Sequence, residues 1–185
     1  MTYTLPTSVE VGGVEYEIRS DYRAALDIIA ALSDFELNDQ ERVIVALDIF
    51  YPDFEKIPYG DYQEAIDACM NFISCGEDQK TANKKAVKLM DWEQDFNYIA
   101  AAVNKVLGRE IRGKEHLHWW TFISAYYEIG ECLFAQIVNI RQKKAYGKKL
   151  DKAEQEWYRK NRDLVDIKRQ YTASEVEALE KLGIK

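Results

Sequence analysis

Residues 117–138 read LHWWTFISAYYEIGECLFAQIV, and this stretch decides the fold. Thr121, Ser124, Glu128, Glu131 and Ala135, continued by Asn139 and Gln142, fall three or four apart and make one narrow stripe of mostly polar residues. Nearly everything else as far as Val138 is apolar or aromatic. A helix with so wide an apolar surface has to be surrounded by others. The run is long enough to span a bilayer, but Glu128 and Glu131 would sit near its middle, so it reads as a core element. The helical pattern covers about 115–145. Gly130 is the place for a break into two helices at an angle, because Gly costs about 1 kcal/mol in a helix interior.

Upstream, Asp91 caps a helix with the seam Trp92, Phe96, Ile99, Val103 and Val106 or Leu107, ended by Gly108. With Trp119, Phe122, Ile123 and Tyr126 across the short Gly108–Gly113 connection, this seam is expected to form one cluster. Residues 77–88, EDQKTANKKAVK, carry no apolar stripe and read as a mobile linker. Before it, Val9 and Val11 alternate with Glu10, Gly12–Gly13 supplies a two-residue turn, and Val14, Tyr16 and Ile18 alternate with Glu15, Glu17 and Arg19. That is a β-hairpin whose apolar side must dock on something. Ser20 or Asp21 then caps a helix carrying Tyr22, Ala25, Leu26, Ile29 and Leu32. Asn38 or Asp39 opens a second helix that ends near Phe50, stopped by the two prolines of YPDFEKIPYG. Asp61 caps a third, with Tyr62, Ala65, Ile66, Cys69 and Ile73 on one face and Gly76 at its end.

Downstream, Gly147 ends the decisive stretch. Asp151 to about Tyr171 reads as one charged helix with a thin seam of Ala153, Trp157, Leu164, Ile167 and Tyr171. Thr172 to Glu175 offers a capping box for a short last helix. The expected architecture is mainly α: an N-terminal β-hairpin, a multi-helix bundle and a charged C-terminal helical arm. Residues 1–140 form an acidic helical domain and residues 141–185 a basic arm with a C-terminal helix.

Charge supports that division. Residues 141–171 hold eleven Lys/Arg against five Asp/Glu, a net +6, while residues 1–140 stand at −12 and the whole chain of 185 residues at −7. An acidic body with a basic arm fits protein partners or self-association better than a catalytic pocket. Cys69, Cys75 and Cys132 form no CxxC pair and read as buried thiols in a reducing compartment.

Chemistry-bearing patterns are missing. No P-loop, GxGxxG, GxSxG or HExxH spacing occurs. His116 and His118, two apart on a helix, would point to nearly opposite sides and cannot share one metal. Glu93, Asp95, Glu128 and Glu131 lack the histidine spacing of a di-metal helical site and read as solvated helix faces. No catalytic, cofactor-binding or metal-binding residue is expected. Lys148, Lys149 and Lys152, with Lys143, Lys144, Arg159, Lys160 and Arg162, could meet phosphates. A pI near 5.0 and the interleaved Glu154, Glu156, Asp163 and Asp166 disfavour nucleic acid. Adjacent Trp119 and Trp120 diverge by about 100° on a helix, so one should enter the core and the other pack on a second element. The partner-facing candidates are therefore Trp119, Trp120, Lys148, Lys149, Lys152 and Trp157.

The runs Trp92-Glu-Gln-Asp95-Phe-Asn-Tyr98-Ile, Val106-Leu-Gly-Arg-Glu-Ile111, Leu117-His-Trp-Trp-Thr-Phe122 and Ile137-Val-Asn-Ile-Arg141 resemble a family of small tail-region proteins. These come from tailed phages and prophages of Gram-positive bacteria and are labelled by gene-product number fifteen. The resemblance covers most of the chain, and Leu-His-Trp-Trp-x-Phe is its specific run. Gly130-Glu-Cys replaces a more acidic turn. The resemblance implies a non-enzymatic tail assembly protein in the host bacterial cytoplasm. It would resemble tail assembly chaperones, which bind the tape-measure protein and recruit tail-tube subunits. It brings no catalytic residue, cofactor or membrane. A second copy of the chain is a further expected partner. Rival readings are a phage regulatory protein that binds nucleic acid through the basic arm, and a helical enzyme.

Overall fold

Gly12 and Gly13 stand at φ +58° and +77°, the left-handed conformations that a tight two-residue hairpin turn needs at both central positions. A side chain at Gly12 would also collide with Asp61, whose Oδ2 lies 2.8 Å from where a Cβ would stand. The turn joins β1 (Ser8–Val11) to β2 (Val14–Glu17) in an antiparallel pair, Val11 opposite Val14 and Ser8 opposite Glu17. Val9, Val11, Val14 and Tyr16 therefore share one face, and β1 lies against the third helix, which buries Val11. The computed structural model describes residues 4–77, 87–168, 175 and 179–182.

Helices make up the rest of the regular structure in those residues. In order they are α1 (Tyr22–Ser33), α2 (Asp39–Phe50), α3 (Tyr62–Ile73), α4 (Trp92–Leu107), α5 (Trp119–Tyr127), α6 (Leu133–Ala145), α7 (Lys152–Lys160) and α8 (Arg162–Val165). Two short 3-10 turns, Phe54–Lys56 and Tyr59–Asp61, lie between α2 and α3. Asp21 caps α1 through the Arg23 amide, and Asn38 forms a full capping box with Glu41 at α2. Asp61 stands at the start of α3 without a side-chain cap bond. No helix among the described residues is long and apolar enough to cross a membrane.

The chain divides into two compact units. The first holds residues 1–86 and 100–129, the second 87–99 and 130–185, so α4 gives its first half to the second unit and the remainder to the first. In the first unit, Tyr22, Ile28, Leu47, Phe50, Phe72 and Phe122 are at most 2% exposed. The Phe122 ring stacks between Tyr22 (4.8 Å between centroids) and Trp119 (5.7 Å). In the second unit, Ile99, Ile137, Ile140 and Val165 are fully buried. The cluster expected around Trp92 and Phe122 has members in both units: Trp92, Phe96 and Ile99 in the second, Val103, Trp119, Phe122, Ile123 and Tyr126 in the first.

Two expectations are corrected and one is met. The helical stretch begins at Trp119 rather than near 115, because His118 occupies the cap position in extended backbone. The break expected at Gly130 is present over 128–132, and the residue that restarts the helix is Cys132, its Sγ accepting from the Ala135 amide at 3.4 Å. The charged helix from Asp151 is two helices. At Asn161 the side-chain amide donates to the Trp157 carbonyl (2.9 Å), the backbone competition that makes Asn a poor helix-interior residue. Tyr171, Thr172 to Ser174 and residues 78–86 of the linker lie outside the described residues.

Candidate interaction surface

Two loop segments pair before α5 begins. The Tyr22 amide donates to the Leu117 carbonyl (2.9 Å) and the Trp119 amide to the Ser20 carbonyl (2.8 Å). Asp21 serves both sides: Oδ1 accepts from the Arg23 amide (2.9 Å) and Oδ2 from the Leu117 amide (3.0 Å). Arg23 then holds the 111–115 loop through the carbonyls of Ile111 (3.0 Å) and Gly113.

This pairing fixes where the tryptophans go. Both reach the same helix end. The Trp119 indole donates to the Ile73 carbonyl (2.9 Å) and the Trp120 indole to the Phe72 carbonyl (2.9 Å). These are among the carbonyls that a helix C-terminus leaves without an internal partner. Trp119 is 2% exposed and Trp120 half-buried on the Phe72 ring (6.1 Å). The sequence separates the two rings by burial correctly, yet both pack on α3. Trp119 has no free surface or donor left to offer a partner.

The histidines depart from expectation: both precede the helix instead of lying on it. His118 is buried, its Nδ1 accepting from the Trp120 amide (3.1 Å) and its Nε2 facing the Pro6 carbonyl (2.9 Å). A carbonyl only accepts, so Nε2 carries the proton and the ring is the neutral Nε2–H tautomer. Burial holds its pKa below the ordinary value, helped by nearby His116 and opposed by the Pro6 carbonyl. His116 is exposed, with Nε2 3.1 Å from Ser20 Oγ. No group of three or more His, Cys, Asp or Glu among the described residues is placed to hold a metal ion. Burial pushes the Cys69 thiol up to about 12, and burial with Glu77 pushes Cys75 up to about 11, so neither is an activated nucleophile.

In the second unit the structure sorts the basic arm into engaged and free cations. Arg141 is 6% exposed and spends all five N–H donors: on Asp95 (2.5 and 3.0 Å) and on the carbonyls of Val165 (2.5 Å), Leu164 (2.9 Å) and Leu89 (3.2 Å). Asp95 is fully buried and also accepts from the Asp91 amide (2.9 Å). Reading Asp95 as a solvated carboxylate is thus corrected; Glu93, Glu128 and Glu131 are exposed as expected. Lys143 pairs with Glu154, and Lys144 and Arg162 pair with Asp166. Lys148, Lys149, Lys152, Arg159 and Lys160 are exposed, and no ion pair involves them among the described residues. Trp157 is half-buried on α7. Over the sequence of each unit, the first holds eleven Lys/Arg against twenty Asp/Glu and the second fourteen against twelve, net −9 and +2.

Among the described residues the scaffold is mainly helical, and every buried side-chain nitrogen and oxygen has a hydrogen-bond partner. The chain belongs to the Bacteriophage Gp15 protein family, whose model matches residues 1–167. That family is not a known enzyme family and points to a phage structural or assembly protein. No curated protein and no solved structure matches the chain.

Proposed function

We propose that this protein is a non-enzymatic phage tail assembly protein, a tail assembly chaperone that binds the tape-measure protein, tail-tube subunits or both in the host bacterial cytoplasm. One observation carries the reading. Lys148, Lys149 and Lys152, with Arg159 and Lys160, form an exposed cationic surface with no ion pair among the described residues, on a chain whose net charge is −7. Arg141 of α6 binds the Leu164 and Val165 carbonyls of α8, and α8 lies against α7, which carries Lys152, Arg159 and Lys160. Trp157 on α7 adds a half-buried aromatic of the kind that anchors interfaces. Membership in a phage family supports the setting.

Co-expression with the tape-measure and tail-tube proteins of the same phage, followed by affinity capture of the full chain, tests this. The wild type should bring down at least one of them. Lys148→Glu/Lys149→Glu/Lys152→Glu should weaken capture roughly tenfold, as expected of three exposed pairs at about half a kcal/mol each. The loss should shrink at high salt, where the Debye length falls to ~3 Å at 1 M. Capture of neither protein, or capture indifferent to the triple reversal, would sink the reading. Steeply salt-dependent binding to duplex DNA instead would favour a regulatory role.

A further inference from the structure

The turns between α2 and α3 place aromatic rings at the surface of the first unit. Phe54 packs on Tyr62 (5.1 Å between centroids), Tyr62 on Tyr59 (5.2 Å), and Tyr59 is 82% exposed. Tyr16 of β2 borders the same turn, its hydroxyl donating to the Lys56 carbonyl (3.4 Å). The segment that carries the patch is acidic. Residues 51–64 hold Asp53, Glu55, Asp61 and Glu64 against the single cation Lys56, which Asp53 already engages at 2.8 Å. Glu55 and Glu64 are exposed and make no ion pair among the described residues.

Exposed ring faces attract ammonium and guanidinium groups by roughly 0.5–1 kcal/mol each, and the long aliphatic stems of Lys and Arg lie well along aromatic surface. What this patch lacks, the second unit displays unused: the free cations between Lys148 and Lys160. The charges of the two units, −9 and +2, are likewise complementary within one sequence. We infer that the cations of residues 148–160 in one copy dock on the Tyr59 patch of a second copy, so that the protein assembles head to tail. The contact is heterologous in that each chain gives its cations to one neighbour and its patch to another. Each chain carries one of each, and the repeat either closes as a ring or continues as an open filament. The inference goes beyond the client reading and does not depend on it.

The test uses the full chain with no phage client, by analytical ultracentrifugation over a range of concentrations at low and high salt. Wild type should sediment as more than one chain, with mass rising with concentration and falling with salt. Tyr59→Ala should assemble about two- to fivefold more weakly, and the triple Lys148→Glu/Lys149→Glu/Lys152→Glu about tenfold more weakly. Circular dichroism checks that both stay folded, as exposed positions should, and Tyr59→Phe should behave as wild type. The decisive sample is the one-to-one mixture of the two defective variants. One intact patch and one intact cation set remain, so the mixture should yield two-chain species and nothing larger. A wild type that stays a single chain at every concentration overturns the inference. So does a mixture that does not pair, or a Tyr59→Ala variant that assembles like wild type. Tyr59→Ala leaves the cations intact, so it should weaken self-assembly without weakening client capture, whereas the triple reversal affects both and does not by itself separate them.

Discussion

Arg141 is the residue whose role differs most from its place in the sequence pattern. Counted as one cation of a basic arm, it is instead a buried hub, 5% exposed in its side chain, with Asp95 at 0%. A signal was present. Arg141 follows Phe134 and Ile137 by seven and four residues, on the stripe that α6 buries. Asp95 follows Trp92 by three and precedes Ile99 by four, on the seam of α4. Opposite charges on two apolar stripes of neighbouring helices can only be buried as a pair. Reading net charge by segment hides this, because it counts a buried cation and a solvated one alike. Removing one partner should leave an uncompensated buried charge, so Arg141→Met should destabilise the second unit by about 3–5 kcal/mol. The double variant Arg141→Met/Asp95→Leu should cost clearly less than the two single changes added together. Recovery should be incomplete, since the carbonyls of Leu89, Leu164 and Val165 would still lose their donor. Urea denaturation of the four proteins measures the cycle, and additive costs would mean that the two charges do not stabilise one another.

At the scale of the elements, helix starts were legible where an ordinary capping residue stood at them. Asp21, Asn38, Asp91 and Asp151 each accept from the first-turn amides their sequence positions imply. The hairpin was equally legible, because Gly12–Gly13 admits little else between alternating strands. The start of α5 was not, because its cap is a histidine whose acceptor exists only in one tautomer. That chemistry makes the element sensitive to pH. Burial depresses the His118 pKa, so the folded state favours the neutral ring. For a base whose folded pKa lies below its unfolded value of ~6.5, stability is complete above that value. It falls as pH drops toward the folded pKa. Protonation would place a proton on Nδ1, ending its acceptance from the Trp120 amide. Neighbouring groups are His116, whose ring centroid is 6.4 Å away, and Asp21, bonded to the Leu117 amide. Thermal melts between pH ~7 and ~5 should therefore show loss of stability in the wild type, across the usual histidine range. His118→Asn keeps a cap acceptor without titrating there, and its profile should be flatter. Superimposable profiles would place the pH dependence on other groups.

For the whole molecule, charge was legible in the sequence, but its partition between compact units was not. α4 lies in both units, and no local signal in its sequence marks residue 99 as a boundary. With the units in hand, the first carries −9 and the second +2. A compact body with so uneven a balance opposes its own folding by self-repulsion, and salt relieves it by shortening the Debye length from ~10 Å at 0.1 M to ~3 Å at 1 M. The near-neutral second unit has much less repulsion to screen, and part of its stability comes from the partly buried pair Lys143–Glu154, which salt weakens. The four tryptophans happen to divide evenly, Trp119 and Trp120 in the first unit and Trp92 and Trp157 in the second. Replacing Trp92 and Trp157 by Phe leaves fluorescence that reports the first unit alone. Replacing only Trp157 leaves the buried-charge neighbourhood intact with Trp92 still reporting the second. In urea, a neutral denaturant, and at low protein concentration to suppress assembly, added NaCl should raise the midpoint seen by Trp119 and Trp120. A variant in which only the second-unit tryptophans remain loses the indole bonds to Phe72 and Ile73, so its first unit is weakened and it serves for the second unit only. Its midpoint should change little with salt. Equal shifts from both sets of reporters would show that the charge imbalance between the units has no energetic consequence for their folding.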